Sequence, residues 1–299
     1  MPSAAEQSAI VKYLGHAHTR IDRAIAAKRR LIVLLEEQKQ AIIHSAVTRG
    51  LELSVPLTDS GVPWLGDIPS HWTVRRAGAL FREVVEKSVA GDELSLSMSQ
   101  KLGLVPSDQV ERTLSSESMI GGKLCEPNDV VLNRLKAHLG VFALARHSGV
   151  VSPDYTVLRP TSLADPQYFE YVLRSQAVRR ELRIRAKGIV EGFWRLYTND
   201  FYTVALPVPP IAEQRAIVEF LSANEREVGT FVRRITQEID LLREFRARLT
   251  SDVVTGQIDV RMIAASLPDL PGDAVASIDD EVDDEELMAP EPELAGARD

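Results

Sequence analysis

Val11, Leu14, His18, Ile21, Ile25, Lys28, Ile32, Leu35, Lys39, Ile42 and Ala46 follow one another at alternating steps of three and four residues. A mostly apolar stripe with a 3.5-residue period predicts a long amphipathic helix of the coiled-coil kind. The stripe returns 207 positions later as Val218, Leu221, Glu225, Val228, Val232, Ile235, Ile239, Leu242, Arg246, Leu249 and Val253. The two copies align without a gap, from Ala5-Glu6-Gln7 against Ala212-Glu213-Gln214 to Val47-Thr48 against Val254-Thr255. Such an internal repeat decides how the whole chain is read: helix, insert, helix. About 40 residues at 1.5 Å each give rods on the order of 60 Å long. His18, Lys28, Lys39, Glu225 and Arg246 interrupt the stripe, and polar seam groups trade packing for register and partner choice. Two helices lining an ordinary core would not require an ungapped repeat of this length.

Between the copies the period changes. Val130-Val131-Leu132, Val141 to Ala145 and Tyr155 to Leu158 are short runs bounded by Gly, Pro, Asn and Asp, which predicts strands. Pro166 to Arg185 has helical spacing through Phe169, Val172, Leu173, Val178 and Leu182, and Tyr202 to Val208 reads as a last strand. Ser3 with Glu6 forms a capping box for the first helix, an expected start that truncation has not frayed. Gly50 supplies its left-handed end, and Pro209-Pro210 pre-sets the second helix. Five Pro and Gly residues punctuate 51–73 as a linker. The predicted organisation is a first helix over 3–50, a mixed α/β domain over 51–207, a second helix over 208–258 and a tail over 259–299.

Charge sharpens the picture. The net charge is −8, yet residues 262–299 hold twelve acids and one base, so the remainder carries a net +3. The run Asp279 to Glu286 has too little apolar surface to offset ordering entropy and is expected to be disordered. It serves either to solubilise the chain or to mimic a nucleic acid. The single cysteine, Cys125, excludes a disulfide framework or a Cys-rich zinc site and fits a reducing compartment. No apolar run reaches membrane-spanning length and no signal pattern opens the chain, so a soluble, cytoplasmic protein is expected.

Four segments carry a family resemblance. Gly61-Val62-Pro63-Trp64-Leu65-Gly66-Asp67-Ile68-Pro69-Ser70-His71-Trp72 stands at the domain entrance, and Pro127-Asn128-Asp129-Val130-Val131-Leu132-Asn133-Arg134-Leu135-Lys136 in its middle. Gly149-Val150-Val151-Ser152-Pro153-Asp154-Tyr155-Thr156-Val157 follows, and Leu206-Pro207-Val208-Pro209-Pro210-Ile211-Ala212-Glu213-Gln214 forms the exit. With the repeat helices, the chain over roughly 5–258 resembles the specificity (S) subunits of type I DNA restriction-modification systems. The resemblance implies a mixed α/β target-recognition domain inserted between two long helices that form an antiparallel coiled-coil spacer. It also implies double-stranded DNA as ligand, modification (methyltransferase) subunits docked on the spacer, and a restriction subunit recruited through the complex. S-adenosylmethionine, ATP and magnesium are then expected only in partner subunits. A typical member has two recognition domains; this chain has one, so it would read half of a bipartite site. The other half would come from a second copy or another S chain, unless the chain is a degenerate fragment.

Candidate DNA-binding residues follow from charge and spacing. Arg174, Arg179, Arg180, Arg183, Arg185 and Lys187 form the densest basic run, and helical spacing puts Arg179, Arg183 and Lys187 on one face. A solvated charged face is the plain alternative. Asn133, Arg134 and Lys136 sit at a strand-to-loop junction; Arg pairs bidentately with guanine and Asn with adenine, though Asn133 could equally cap a turn. The loop 187–195 has glycines that permit close backbone approach, with Lys187 near one end and Trp194 and Arg195 at the other; Trp194 reads equally well as core.

Catalytic signals are absent. A phosphate-binding Gly-x-x-x-x-Gly-Lys loop fails because Glu117 stands where its first Gly belongs. Ser-Pro-Asp-Tyr lacks the second Pro of an amino-methyltransferase motif, and Glu37-Gln38-Lys39 lies on the first helix. No Gly-x-Gly loop for a methyl donor follows a strand, and His16 and His18 cannot share a helix face. No metal site is expected. The competing reading from another class is a coiled-coil adaptor whose insert binds protein.

Overall fold

In the computed structural model, which describes residues 2–52, 54–99, 102–110, 119–135, 141–190 and 193–269, each repeat copy is one unbroken helix, α1 (Ala4–Arg49) and α6 (Ile211–Val254). Ser3 and Glu6 exchange the two expected capping bonds, Ser3 N–H to Glu6 Oε2 at 3.2 Å and Glu6 N–H to Ser3 Oγ at 3.4 Å. Gly50 ends α1 at φ +73°, a conformation that disfavours a side chain. The chain divides into two units, residues 1–37 with 227–299, and residues 38–226.

In the first unit α1 and α6 run antiparallel, as the pairing of their seam shows. Lys28 Nζ lies 2.5 Å from Glu238 Oε2, Arg246 donates to Asp22 Oδ1 at 3.1 Å, and His18 Nε2 is 3.0 Å from Thr250 Oγ1. Three of the polar seam positions therefore sit opposite polar partners, which penalises a shifted register more than an all-apolar seam would. Burial, then the nearby Arg246 charge, pushes the His18 pKa down. Ile21, Ile25, Ile235 and Ile239 form one buried layer, and Leu14, Leu249 and Val253 another. Each such side chain removed from water contributes about 1.5–3 kcal/mol. The expected seam drifts at its start: Val11 is exposed, while Ile10, Tyr13 and Ala17 pack instead. A helix of 3.6 residues per turn departs from a 3.5 repeat in just this way. The tail expected from residue 259 also starts later. Val260 is buried against Leu14, Leu249 and Val253, and a short helix, α7 (Arg261–Ser266), follows. The acidic run 279–286 lies outside the described residues.

In the second unit the alternating apolar runs build a sheet that is buried on both faces. Strands β4 (Phe81–Val84), β8 (Val130–Asn133), β9 (Phe142–Leu144) and β11 (Tyr155–Pro160) pair antiparallel in the order β4-β11-β8-β9. Successive strand residues point to opposite faces. Val130, Leu132, Phe142, Leu144 and Leu158 therefore face the larger core, and Val131, Ala143 and Val157 face a smaller one. The larger core takes in α3 (Pro166–Arg174), α4 (Gln176–Arg185) and the ends of the long helices through Ile43, Val47, Ile217 and Leu221. The smaller is closed by Leu96 of β5 (Leu96–Ser99), Leu104 of β6 (Gly103–Pro106), Cys125 of β7 (Lys123–Cys125) and Val151 of β10 (Gly149–Val151). Burial pushes the Cys125 thiol up to about 11.

The single helix expected over 166–185 is two. Ser175 is extended (ψ 147°), and its N–H and Oγ both donate to the Val172 carbonyl, which stops α3 before α4 restarts. The region expected as a plain linker pairs β1 (Leu57–Asp59) with β2 (Asp67–Pro69) in a hairpin. Entrance and exit of the domain lie side by side, β3 (Thr73–Arg76) against β14 (Ala205–Val208). The short helices α2 (Ala77–Leu80) and α5 (Thr198–Tyr202) flank this pair, so the last strand is shorter than expected. The remaining strands, β12 (Lys187–Val190) and β13 (Phe193–Arg195), form a separate hairpin.

Several motif segments have structural work. Fully buried Gln214 donates to the carbonyls of Leu163 and Pro209, both at 2.9 Å, and accepts the Asp165 N–H at 2.8 Å. That fixes the turn from the domain into α6. Buried Asp129 accepts both Nε and Nη2 of Arg159 at 3.0 Å, which raises the Arg159 pKa, and holds the turn at Asn128, whose φ is +76°.

Candidate nucleic-acid interface

The β12–β13 hairpin is a short ribbon that carries Lys187, Trp194 and Arg195. Its register sets Lys187 opposite Arg195 and Gly188 opposite Trp194. Like charges directly opposed across strands destabilise a hairpin, and here each is drawn to its own acid. Lys187 Nζ lies 3.0 Å from Asp200 Oδ2 and 5.7 Å from the centre of the Tyr197 ring. Arg195 Nη2 donates to Asp154 Oδ1 at 3.1 Å, while its buried Nε has no partner among the described residues. Trp194 is 41% exposed, so it is not core. Tyr197, whose ring lies under Lys187, is also exposed. A two-stranded ribbon with cations and an accessible ring has the chemistry to meet phosphates and base edges in a groove.

The Asn133–Arg134 junction is tied to this hairpin. The Arg134 carbonyl accepts the Leu196 N–H at 3.0 Å. Its side chain turns to the 152–155 turn, donating from Nε to the Asp154 carbonyl at 2.6 Å and from Nη2 to the Pro153 carbonyl at 3.2 Å. Nη2 also reaches Asp154 Oδ1 at 3.4 Å. Arg134 is therefore engaged in shaping a turn. Asn133 Oδ1 accepts the Leu135 N–H at 3.1 Å, the turn-capping geometry that was the plain alternative. Lys136 lies outside the described residues.

Arg179, Arg183 and Lys187 do not share a helix face. α4 ends at Arg185, and Ala186 turns the chain into β12, which removes Lys187 from the helix. Arg183 is exposed on α4. Arg179 is half-buried, and its Nε donates to the Arg174 carbonyl at 3.0 Å. Burial, then the Arg174 charge, pushes its pKa down. The structure thus gathers Asn133, Arg134, Lys187, Trp194 and Arg195 around one hairpin, and leaves Arg179 and Arg183 on α4. Among the described residues no cluster of His, Cys, Asp and Glu could hold a metal ion, and no helix is long and apolar enough to cross a membrane.

No protein-family model matches this chain, and no curated protein matches it by sequence. Solved structures do match. The HsdS subunit from Thermoanaerobacter tengcongensis superposes with a TM-score of 0.52 at 18% identity, over 86% of this chain and 60% of that one. A chain from a structure describing complex assembly and conformational transition of the type I R-M system gives a TM-score of 0.53 at 16% identity, over 80% and 57%. The chain has the HsdS fold. It spans about 60% of the length of these two chains.

Within the HsdS fold of this chain, sequence reasoning missed Asp154, Tyr197 and Asp200. In the sequence Asp154 stands out only within a resemblance segment and a failed methyltransferase motif, not as a partner for cations. The usable signal was an acid beside Pro in a tight turn, a placement suited to holding cations that arrive from elsewhere in the chain.

Proposed function

We propose that this chain is a DNA-recognition subunit of a type I restriction-modification complex, reading one half of a bipartite site. The observation that carries the proposal is the hairpin of Lys187, Trp194 and Arg195, presented by a domain of the HsdS fold. Lys187, Arg195 and Arg183 supply cations for phosphates, and Trp194 a surface for base or sugar contact. Arg134 positions the 152–155 turn beside them.

The chain itself supplies no catalytic group in this reading. Methyl transfer, with S-adenosylmethionine, occurs in modification subunits, and ATP and magnesium serve the restriction subunit. The docking face is the spacer: Phe231, Leu241 and Phe245 are exposed within one stripe of α6, and Leu34 of α1 is exposed at the repeat position of Leu241. Repeat-related exposed leucines suit two modification subunits bound in equivalent ways. A second copy would supply the other half-site. The repeat extends to a side-chain bond: Gln7 donates to the Pro2 carbonyl at 3.1 Å as Gln214 does to Pro209, 207 positions on. Yet Gln7 is exposed and Val11 is 48% exposed, whereas Gln214 is fully buried and Val218 is 8% exposed beneath the recognition domain.

Binding of the purified chain, with and without its modification subunit, to duplex DNA across a salt series tests the proposal. Affinity should fall steeply and linearly with log salt. Binding indifferent to salt, or absent even in the complex, would favour the adaptor reading.

A further inference from the structure

A cavity of about 390 Å³ lies in the second unit, away from the hairpin residues and with Arg179 in its wall. Lys39, Arg146, Arg174 and Arg179 line it against Glu170 and Glu225. Both acids are already engaged. Glu225 Oε2 accepts the Tyr171 hydroxyl at 2.7 Å, and Glu170 Oε1 accepts the Leu144 N–H at 3.3 Å and lies 3.7 Å from Arg174 Nη1. Burial pushes the Glu170 carboxyl pKa up, against the pull of Arg174. Arg179 is half-buried with only the Arg174 carbonyl as its hydrogen-bond acceptor, so among the described residues its guanidinium has no carboxylate partner. A cation withdrawn from water without a counter-charge is costly to the fold unless something else supplies one. Three arginines line the same cavity, and the planar fork of a guanidinium suits the oxygens of a tetrahedral anion.

We propose that this cavity is a phosphoryl-anion site in which Arg179, Arg174 and Arg146 hold the oxygens of one phosphate. The same chemistry fits two sources, a DNA backbone phosphate or a free phosphate such as that of a nucleotide. The first source rests on the DNA-recognition reading; the second does not.

The test uses the full chain at constant ionic strength. Pyrophosphate should raise its melting temperature saturably where equimolar chloride does not, and Arg179→Gln should weaken that effect about tenfold. Arg146→Gln, at an exposed position, gives the same readout should Arg179→Gln fail to fold. If DNA supplies the phosphate, pyrophosphate competes with duplex binding and Arg179→Gln lowers the log-salt slope by about one. If a free anion supplies it, the pyrophosphate effect persists while DNA binding by the variant is unchanged. Absence of any saturable pyrophosphate effect, with an unaltered salt slope in both variants, overturns the proposal. Failure of the wild-type chain to bind DNA would instead count against the recognition reading, and leaves the pyrophosphate measurement intact.

Discussion

Asp154 accepts a hydrogen bond from Arg195 across 41 residues of sequence, Nη2 to Oδ1 at 3.1 Å. The same oxygen lies 3.4 Å from Arg134 Nη2. One carboxylate thus stands between two guanidiniums, where, in the proposed reading, a DNA phosphate would otherwise be drawn. Replacing it should loosen Arg195 and remove a repulsive charge, while Arg134 stays held by the Asp154 and Pro153 carbonyls. Asp154→Asn is expected to bind all duplexes more tightly, with a log-salt slope steeper by about one, and to discriminate less between cognate and scrambled sequence. Fluorescence anisotropy on both duplexes across a salt series measures this. Unchanged slope and discrimination would remove Asp154 from the interface.

Arg183 and Lys187 should behave as phosphate contacts. Arg183→Gln and Lys187→Gln are each expected to weaken binding to cognate and scrambled DNA by the same factor, and to lower the salt slope by about one. Arg134→Ala should instead perturb the 152–155 turn. It is expected to destabilise the domain by about 0.5–1.5 kcal/mol, read by urea denaturation, because two exposed backbone carbonyls exchange their donors for water.

Gln214 offers a stability test with an internal control. Gln214→Leu leaves the Leu163 and Pro209 carbonyls and the Asp165 N–H without their partner, at about 1–3 kcal/mol per buried group and not fully additive. Gln7→Leu, at the exposed repeat position, should shift stability by no more than about 0.5 kcal/mol. Equal effects would show that the exit turn does not depend on this amide.

Cys125 predicts a pH dependence. Its folded pKa of about 11 lies above the ordinary 9.0, so the folded chain keeps a proton that the unfolded chain releases. The resulting stability is fully present below pH 9 and is lost as pH rises toward 11, by on the order of 2 kcal/mol. Cys125→Ala should flatten that part of the curve, measured by denaturant melts between pH 8 and 11. At neutral pH the thiol should alkylate only on unfolding.

The exposed stripe on α6 predicts a partner phenotype without a stability one. Phe245→Glu should leave the fold within about 0.5 kcal/mol of wild type, yet abolish co-purification with the modification subunit. Retained co-purification would place docking elsewhere.

The long helices were legible because their period persists through many turns, and Ser3, Glu6 and Gly50 mark their ends by local chemistry. The central strands were legible because Val130 to Leu132 and Tyr155 to Leu158 are apolar on both faces. Strands such as β5, β6, β7 and β10 were hidden because Ser, Gly, Lys and Pro interrupt their few apolar side chains, and β7 finds its partner β10 only across a long stretch of sequence. The break at Ser175 was hidden because Val178 and Leu182 continue the helical spacing across it. For the interface, residue types were legible but their engagements were not. Arg134 looked like a base reader, and its guanidinium is spent on a turn 20 residues away. Arg179, Arg183 and Lys187 fit a helical face only while the helix was assumed to continue.

The central claim is sequence-directed DNA recognition, and one measurement tests it most directly. The chain is co-expressed with its modification subunit and no other specificity chain, and methylated bases are mapped by single-molecule sequencing. The account predicts methylation confined to a bipartite motif, palindromic if two copies assemble, and lost when Arg183 and Lys187 are both replaced by Gln. A complex that co-purifies intact, yet neither binds DNA nor methylates any defined sequence, would contradict it.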